Sequence, residues 1–291
     1  MSQSPANSCT DTTTDSPDAS GSSTSSTGDE PADSVDLFEM DAPRHLQISG
    51  EVRVFDQIFG VAGAVADSVR LGLSTSTLAI RADNPMGHAM VDLSVEGSSF
   101  ETFKTDSGTL GVDIGRFRDA LSIGDAGDLA QVTLDAENGS LEITINGISR
   151  TVSLEAAESL RQAPDIPPVE LPATAHFEQG DLSFALTAAK TVDDRFDLVV
   201  DSEGGELRFE ATGDTDSMVY RRETSDLVAF DPADVQSTFD ADLASSVSRG
   251  LPSGAHRVLR IGDDVPLVVR SQFPNADGVC QYVIAPKVSD E

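Results

Sequence analysis

The residues that most often carry chemistry are few in this chain and do not converge. Four histidines, His45, His88, His176 and His256, fall in different predicted elements, with neither metal-ligand spacing nor a nucleophile motif beside them. The acidic pairs Asp193-Asp194 and Asp263-Asp264 could hold a divalent cation. Both sit at predicted turns and lack the interleaved oxygen ligands of a calcium loop, which favours solvated turn carboxylates. Cys9 and Cys280 are too few for a disulfide framework or a cysteine metal cluster, and they point to a reducing compartment. The reading is therefore of a protein with no catalytic residue, no metal site and no cofactor.

Charge is the strongest compositional signal. Fifty acidic residues face nineteen basic ones, three of them lysine (Lys104, Lys190, Lys287), for a formal charge of −31. Carboxylates spread along the chain, rather than in blocks, keep a protein soluble where salt screens their repulsion, as in a halophile's cytoplasm. No run of eighteen apolar residues exists, and the opening residues MSQSPAN lack the basic and apolar regions of a signal peptide. A cytoplasmic, nucleoid-associated protein without a membrane segment is expected.

The elements that must position any functional surface are short. Residues 1–45 form a Ser/Thr/Asp-rich tail, predicted to be disordered because it has too little apolar surface to offset its ordering entropy. Within the tail VDLFEM (Val35 to Met40) reads as an apolar lead-in to the first strand, or else as a short motif that docks in a groove. From Leu46 onward, alternating runs such as LGLSTSTLAIRA (Leu71 to Ala82), with Asn138-Gly139 and Asn146-Gly147 between strands, predict antiparallel hairpins. Four stretches have helical period instead: Phe55 to Ala66, Arg116 to Ile123, Leu182 to Thr191 and Asp242 to Gly250.

These elements recur. Phe55 to Leu182 spans 127 positions, Phe117 to Leu243 spans 126, and LAIRA at Leu78 lies 129 before LRFEA at Leu207. Like elements at nearly one offset indicate a duplicated unit with two helices and a run of hairpins, an α+β arrangement. The predicted division is a first domain over 46–154, a strap over 155–172 and a second domain over 173–291. The strap is semi-rigid, because Pro164, Pro167, Pro168 and Pro172 bias it toward extended geometry.

Three stretches then carry a resemblance: LAIRADNPMGHAMVDLSV (Leu78 to Val95), SLRQAPDIPPVEL (Ser159 to Leu171) and QYVIAPKVSDE (Gln281 to Glu291). They resemble the DNA polymerase sliding clamps of the PCNA family, most closely the archaeal ones, in one register over about Leu46 to Glu291. The Ser/Thr-rich tail has no counterpart in the usual clamp.

The resemblance implies the clamp fold, with sheets outside and four short helices on an inner face. Three chains would close head to tail as a homotrimeric ring around double-stranded DNA. It implies a DNA-facing role for Arg53, Arg116, Arg118, Lys190 and Arg249. A groove under the strap, matched by His88, Leu160, Pro266, Tyr282, Ala285 and Pro286, would bind short apolar peptides of DNA polymerase, clamp loader, flap endonuclease and ligase. The subunit interface would pair the strand Ile148 to Leu154, including Arg150 and Val152, with Ser217 to Glu223, including Val219 and Arg221. Arg150 facing Arg221 and Arg222 would cost energy unless Glu223 or another acid intervenes. A divergent clamp paralogue serving repair, a plasmid or virus, or regulation fits the same residues, and the tail alone would suit an acidic β-rich surface protein.

Overall fold

The computed structural model describes residues 36–164, 169–178 and 180–287. The disorder expected of residues 1–35 lies outside them.

The first half of the chain runs β1 (Leu46–Glu51), α1 (Val52–Ala62), β2 (Ser68–Leu73), β3 (Thr77–Asp83), β4 (Ala89–Glu96), β5 (Thr102–Thr105), β6 (Gly108–Asp113), α2 (Ile114–Leu121), β7 (Leu129–Asp135), β8 (Ser140–Ile145) and β9 (Ile148–Ser153). The second runs β10 (Ala173–Phe177), α3 (Asp181–Lys190), β11 (Arg195–Asp201), β12 (Glu206–Thr212), β13 (Ser217–Glu223), β14 (Ala229–Asp231), β15 (Val235–Asp240), α4 (Ala241–Gly250), β16 (Arg257–Ile261), β17 (Leu267–Gln272) and β18 (Gly278–Ile284). The two halves have the same order of strands and helices, so the duplication read from the spacing is a duplication of fold.

Local chemistry places the helices. Asp113 and Asp240, equivalent positions in the two halves, cap α2 and α4 by accepting from the amides of Arg116 and Leu243, each at 2.8 Å. Such a cap stabilises a helix by about 1 kcal/mol. Helix α1 begins three residues before the predicted Phe55. Its first amides, Val52 and Arg53, donate to the carbonyls of Asp128 and Ala126 at 2.9 and 3.0 Å, which satisfies a helix end that has no side-chain cap. At Asn146-Gly147 both residues have positive φ (51° and 79°), the two-residue hairpin geometry expected. The Asn138-Gly139 hairpin instead has a four-residue loop, in which Asp135 accepts from the Asn138 amide and only Gly139 has positive φ.

Three sheets result. One has the order β5-β1-β7-β8-β9, another β13-β12-β11-β15, and the third is nine-stranded, β14-β10-β16-β17-β18-β4-β3-β2-β6. The nine-stranded sheet is a second-half copy of the five-stranded order joined to a first-half copy of the four-stranded order. Its seam is the antiparallel pair β18–β4, in register from Gly278↔Val95 to Ile284↔Ala89. Helix α1 packs on both α2 and α4, and α4 packs on α3, so the four helices form a row α2-α1-α4-α3.

Residues 36–45 depart from the expected tail. Asp36 caps a 3-10 turn over Leu37–Glu39, and Phe38 is buried against the sheet instead of leading into β1. Burial of a phenyl ring offsets the ordering of this short segment.

The seam also makes a prediction. Burial pushes the Cys280 thiol up to about 12 and raises the Tyr282 hydroxyl well above its ordinary value. A raised acid pKa favours the neutral form in the folded state, so this stability is fully present below about pH 9. It falls as pH rises toward 12, by an amount approaching ~4 kcal/mol for the thiol alone. Denaturant titrations at pH 8 and pH 10.5 should show about half of that loss, ~2 kcal/mol, and Cys280→Ala should flatten it.

Candidate functional site

The helix row is nearly neutral. Its helices carry five basic side chains, Arg53, Arg116, Arg118, Lys190 and Arg249, against Asp56, Asp119, Asp181 and Asp242. Four of the five bases are held by carboxylates: Arg53 by Glu51, Arg116 by Asp113 at 3.3 Å, Arg118 by Asp56 at 2.8 Å and Lys190 by Asp242 at 2.5 Å. Arg249 donates to Ser246 Oγ at 3.1 Å. Two of these pairs are local in sequence, Arg53 with Glu51 and Arg116 with Asp113, whereas Arg118–Asp56 and Lys190–Asp242 join different helices and leave no trace in the spacing within either.

The strap crosses the opposite, outer side of the nine-stranded sheet. It starts at the β6 edge, where the Glu155 amide donates to Gly111 O at 2.9 Å, and a Cβ at Gly111 would collide with the Glu155 carbonyl. Arg161 then pairs with the buried Asp83 at 2.8 Å and donates to Pro85 O at 3.1 Å. Residues 165–168, including the predicted Pro167 and Pro168, lie outside the described residues. Farther on, Val169 and Leu171 pack with Met90, Val265, Val268 and Val283 in a small apolar cluster separate from the main core.

This cluster corrects the groove expected from sequence. Tyr282 is fully buried on the other face of β18, and its hydroxyl donates to Val61 O in α1 at 2.5 Å, so it cannot line a groove under the strap. Strand alternation turns its neighbour Val283 outward instead. Leu160 is also displaced: it lies near Gly111 on β6, four strands along the sheet from Val283 on β18, and its carbonyl accepts from Arg70 at 2.9 and 3.2 Å. The remaining positions do gather. Ala285 N donates to His88 O at 2.8 Å, Pro286 follows it, and Pro266 precedes Leu267, which pairs with Ile284. His88 and its neighbour Met86 are exposed.

Among the terminal strands of the three sheets, β9 and β13 are the counterparts of β18 and β4, the two strands that pair at the internal seam. Ile148 on β9 and Val219 on β13 are exposed, at 56% and 46%, and Arg150 and Arg221 are exposed too, while Val152 is buried within its own half. Beside β13, Phe184 of α3 is 62% exposed with its ring 5.5 Å from Tyr220. The Tyr220 hydroxyl and Arg222 Nε are buried with no hydrogen-bond partner among the described residues. Arg222 is held by Asp181 at 2.8 Å and lies over the Tyr220 ring.

Among the described residues no group of three or more His, Cys, Asp or Glu could hold a metal ion, and no helix is long and apolar enough to cross a membrane.

No protein-family model matches the chain. It is 34% identical over 224 residues to the DNA polymerase sliding clamp of Halobacterium salinarum, covering 77% of this chain and 91% of that protein. It is 32% identical over 227 residues to the DNA polymerase sliding clamp of Natronomonas pharaonis, covering 78% and 92%. Among solved structures it is similar to A. fulgidus PCNA, which is bound there to the C-terminal region of FEN-1. That match has a TM-score of 0.78 and 24% identity, and covers 84% of this chain and all of that one. PCNA of Thermococcus kodakaraensis gives a TM-score of 0.76 at 21% identity, covering 83% and 100%.

Proposed function

Because this chain belongs to the DNA polymerase sliding clamp family, we propose that three copies close head to tail into a ring that encircles duplex DNA and tethers polymerase and other replication and repair proteins to it. In this reading the chain catalyses no reaction and works in the cytoplasm, on the nucleoid. It acts by raising the local concentration of its partners at their substrate. Family membership takes the place of the surface-protein alternative.

One observation carries the ring. The internal seam joins a β5-β1-β7-β8-β9-type edge to a β13-β12-β11-β15-type edge within one chain, and the terminal strands β9 and β13 are the other members of those same two types. Repeating the β18–β4 pairing between chains uses both edges, which leaves neither exposed as a template for aggregation. The equivalent ladders make Arg150 correspond to Tyr282 and Tyr220 to Leu93. Transferring Tyr282↔Val91 and Cys280↔Leu93 then sets Arg150 opposite Met218 and Ile148 opposite Tyr220. In this register Arg150 faces neither Arg221 nor Arg222, and the apolar Ile148 covers the Tyr220 ring.

The same repeat brings α3 of one subunit against α2 of the next, as α1 lies on α4 within the chain, and gives Phe184 a partner surface. Mass measurement in molar salt tests this reading. Particles of three chains are expected, and a single-chain particle would overturn it.

The helix row faces the duplex. Four of its five cations are already paired with carboxylates, so a phosphate contact there exchanges one partner for another and gains little from counterion release. Five free cations would give log K a slope near about −4.5 against log salt, whereas a markedly shallower slope is expected here. Asp56→Asn should free Arg118 and raise affinity for a short linear duplex several-fold at low salt, read by fluorescence anisotropy. Retention on DNA then comes from topology rather than from affinity.

The outer groove holds the partners. An apolar floor from Val283, Val268 and Met90, rimmed by His88, Pro266, Ala285 and Pro286 and walled by Val169 and Leu171, suits a short apolar turn of a partner protein.

A further inference from the structure

The segment Asp36–Met40 is held more firmly than a loose lead-in needs to be. Its 3-10 turn is capped by Asp36, whose carboxylate accepts from Phe38 N at 3.0 Å. Phe38 is 8% exposed and lies outside the main core cluster. Its ring sits on Gly72 of β2, where a Cβ would come within 3.1 Å of it, and the Arg81 guanidinium lies 5.4 Å from the ring centroid. Gln162 and Ala163 of the strap line the same small cavity as Phe38, Arg70 and Arg81.

One side chain ties this turn to the strap. Arg70 donates through Nη1 to Phe38 O at 3.2 Å and through Nε and Nη2 to Leu160 O at 3.2 and 2.9 Å. Thr109 donates its hydroxyl to Leu37 O, and the Thr109 amide donates to Asp41 O at 3.2 Å, which fixes the chain on either side of the turn. Arg70 and Arg81 thus both meet the turn at Phe38, one at its carbonyl and the other at its ring. Steric fit, hydrogen bonding and the cation–ring contact agree on one occupant.

We propose that Asp36–Met40 is a built-in ligand of the strap: a Leu-Phe turn, carried on the N-terminal extension, that pins the first half of the strap to β2 and β3. By fixing the strap ahead of the wall residues Val169 and Leu171 before any partner arrives, the turn lowers the ordering cost of binding in the groove. This consequence rests on the proposed groove, whereas the pinning itself does not.

Hydrogen exchange on the full-length protein tests the pinning. In Phe38→Ala, the strap amides of Glu155, Ser159 and Leu160 should exchange at least tenfold faster than in the parent, while those of β3 and β4 hold. Removing residues 1–41 should give the same rise. Gly72→Val, which keeps Phe38 but crowds it off its seat, should do so as well. Unchanged strap exchange in the truncated chain would overturn the proposal.

A peptide copying the FEN-1 C-terminal region supplies a second readout, since the truncated chain should bind it several-fold more weakly. Tighter binding by the truncated chain would show the turn to be a competitor for the groove and would overturn the positioning role. Failure of the peptide to bind either chain would count against the groove while exchange still decides the pinning.

Discussion

Ile148→Asp and Phe184→Asp should each reduce the particle mass from three chains to one in molar salt, with the thermal midpoint of the isolated chain little changed. Both side chains are more than half exposed in the single chain, so a carboxylate there is solvated and costs the fold almost nothing. In the ring the same carboxylate would be enclosed with no partner, against the Tyr220 ring in the first variant and against α2 of the next subunit in the second. An unpaired buried charge costs several kcal/mol. Repeated at three interfaces, that exceeds what a modest edge-to-edge contact supplies. Sedimentation would show the change directly. Retention of the three-chain particle by both variants would mean that the terminal strands β9 and β13 are not the interface.

The second large effect separates two positions at the β18–β4 seam, Met90 on β4 and Tyr282 on β18. Met90→Glu should weaken capture of partner peptides by ~100-fold without altering assembly, because Met90, the seam partner of Val283, is half-buried in the free chain but would be covered by a docked apolar turn. Tyr282→Phe should leave capture unchanged. Tyr282→Ala should instead destabilise the fold by about 3–5 kcal/mol, since it removes a fully buried ring and its bond to Val61 O. Titration calorimetry with the peptide and thermal unfolding of the variants distinguish the two outcomes. A Tyr282→Phe chain that folds normally but loses the peptide would restore Tyr282 to the groove.

The Tyr282 correction shows what the sequence could and could not reveal. Where one face of an element is dry and the other wet, the pattern was legible: α1 shows its stripe, the Asn146-Gly147 hairpin shows its turn, and the caps Asp113 and Asp240 recur at one offset. On β17 and β18 both faces are covered, one by helices and the other by the strap. The run Leu267-Val268-Val269 is therefore continuously apolar, and VCQYVIAP gives no alternation from which to assign sides. That unbroken run was itself the available signal that a second apolar surface lay outside, where Val268 and Val283 sit.

The pairing of Arg118 and Lys190 was hidden for another reason. A carboxylate such as Asp56 meets Arg118 across 62 positions, and only the tertiary packing of α1 on α2 brings them together. The Leu-Phe turn was visible as an apolar island in a polar tail, but its seat required three residues distant in sequence, Gly72, Arg70 and Thr109, that only the folding of β2 and β6 brings together. The strap was recognised from its prolines, and its anchoring arginines, Arg70 and Arg161, were not.

Retention on DNA of defined topology tests encirclement most directly. After loading onto a nicked circular duplex in molar salt, the protein should stay bound through gel filtration and be released when the circle is cut once to a linear form with free ends. Equal loss from circle and line, or equal retention on both, would contradict a ring that holds DNA by enclosing it.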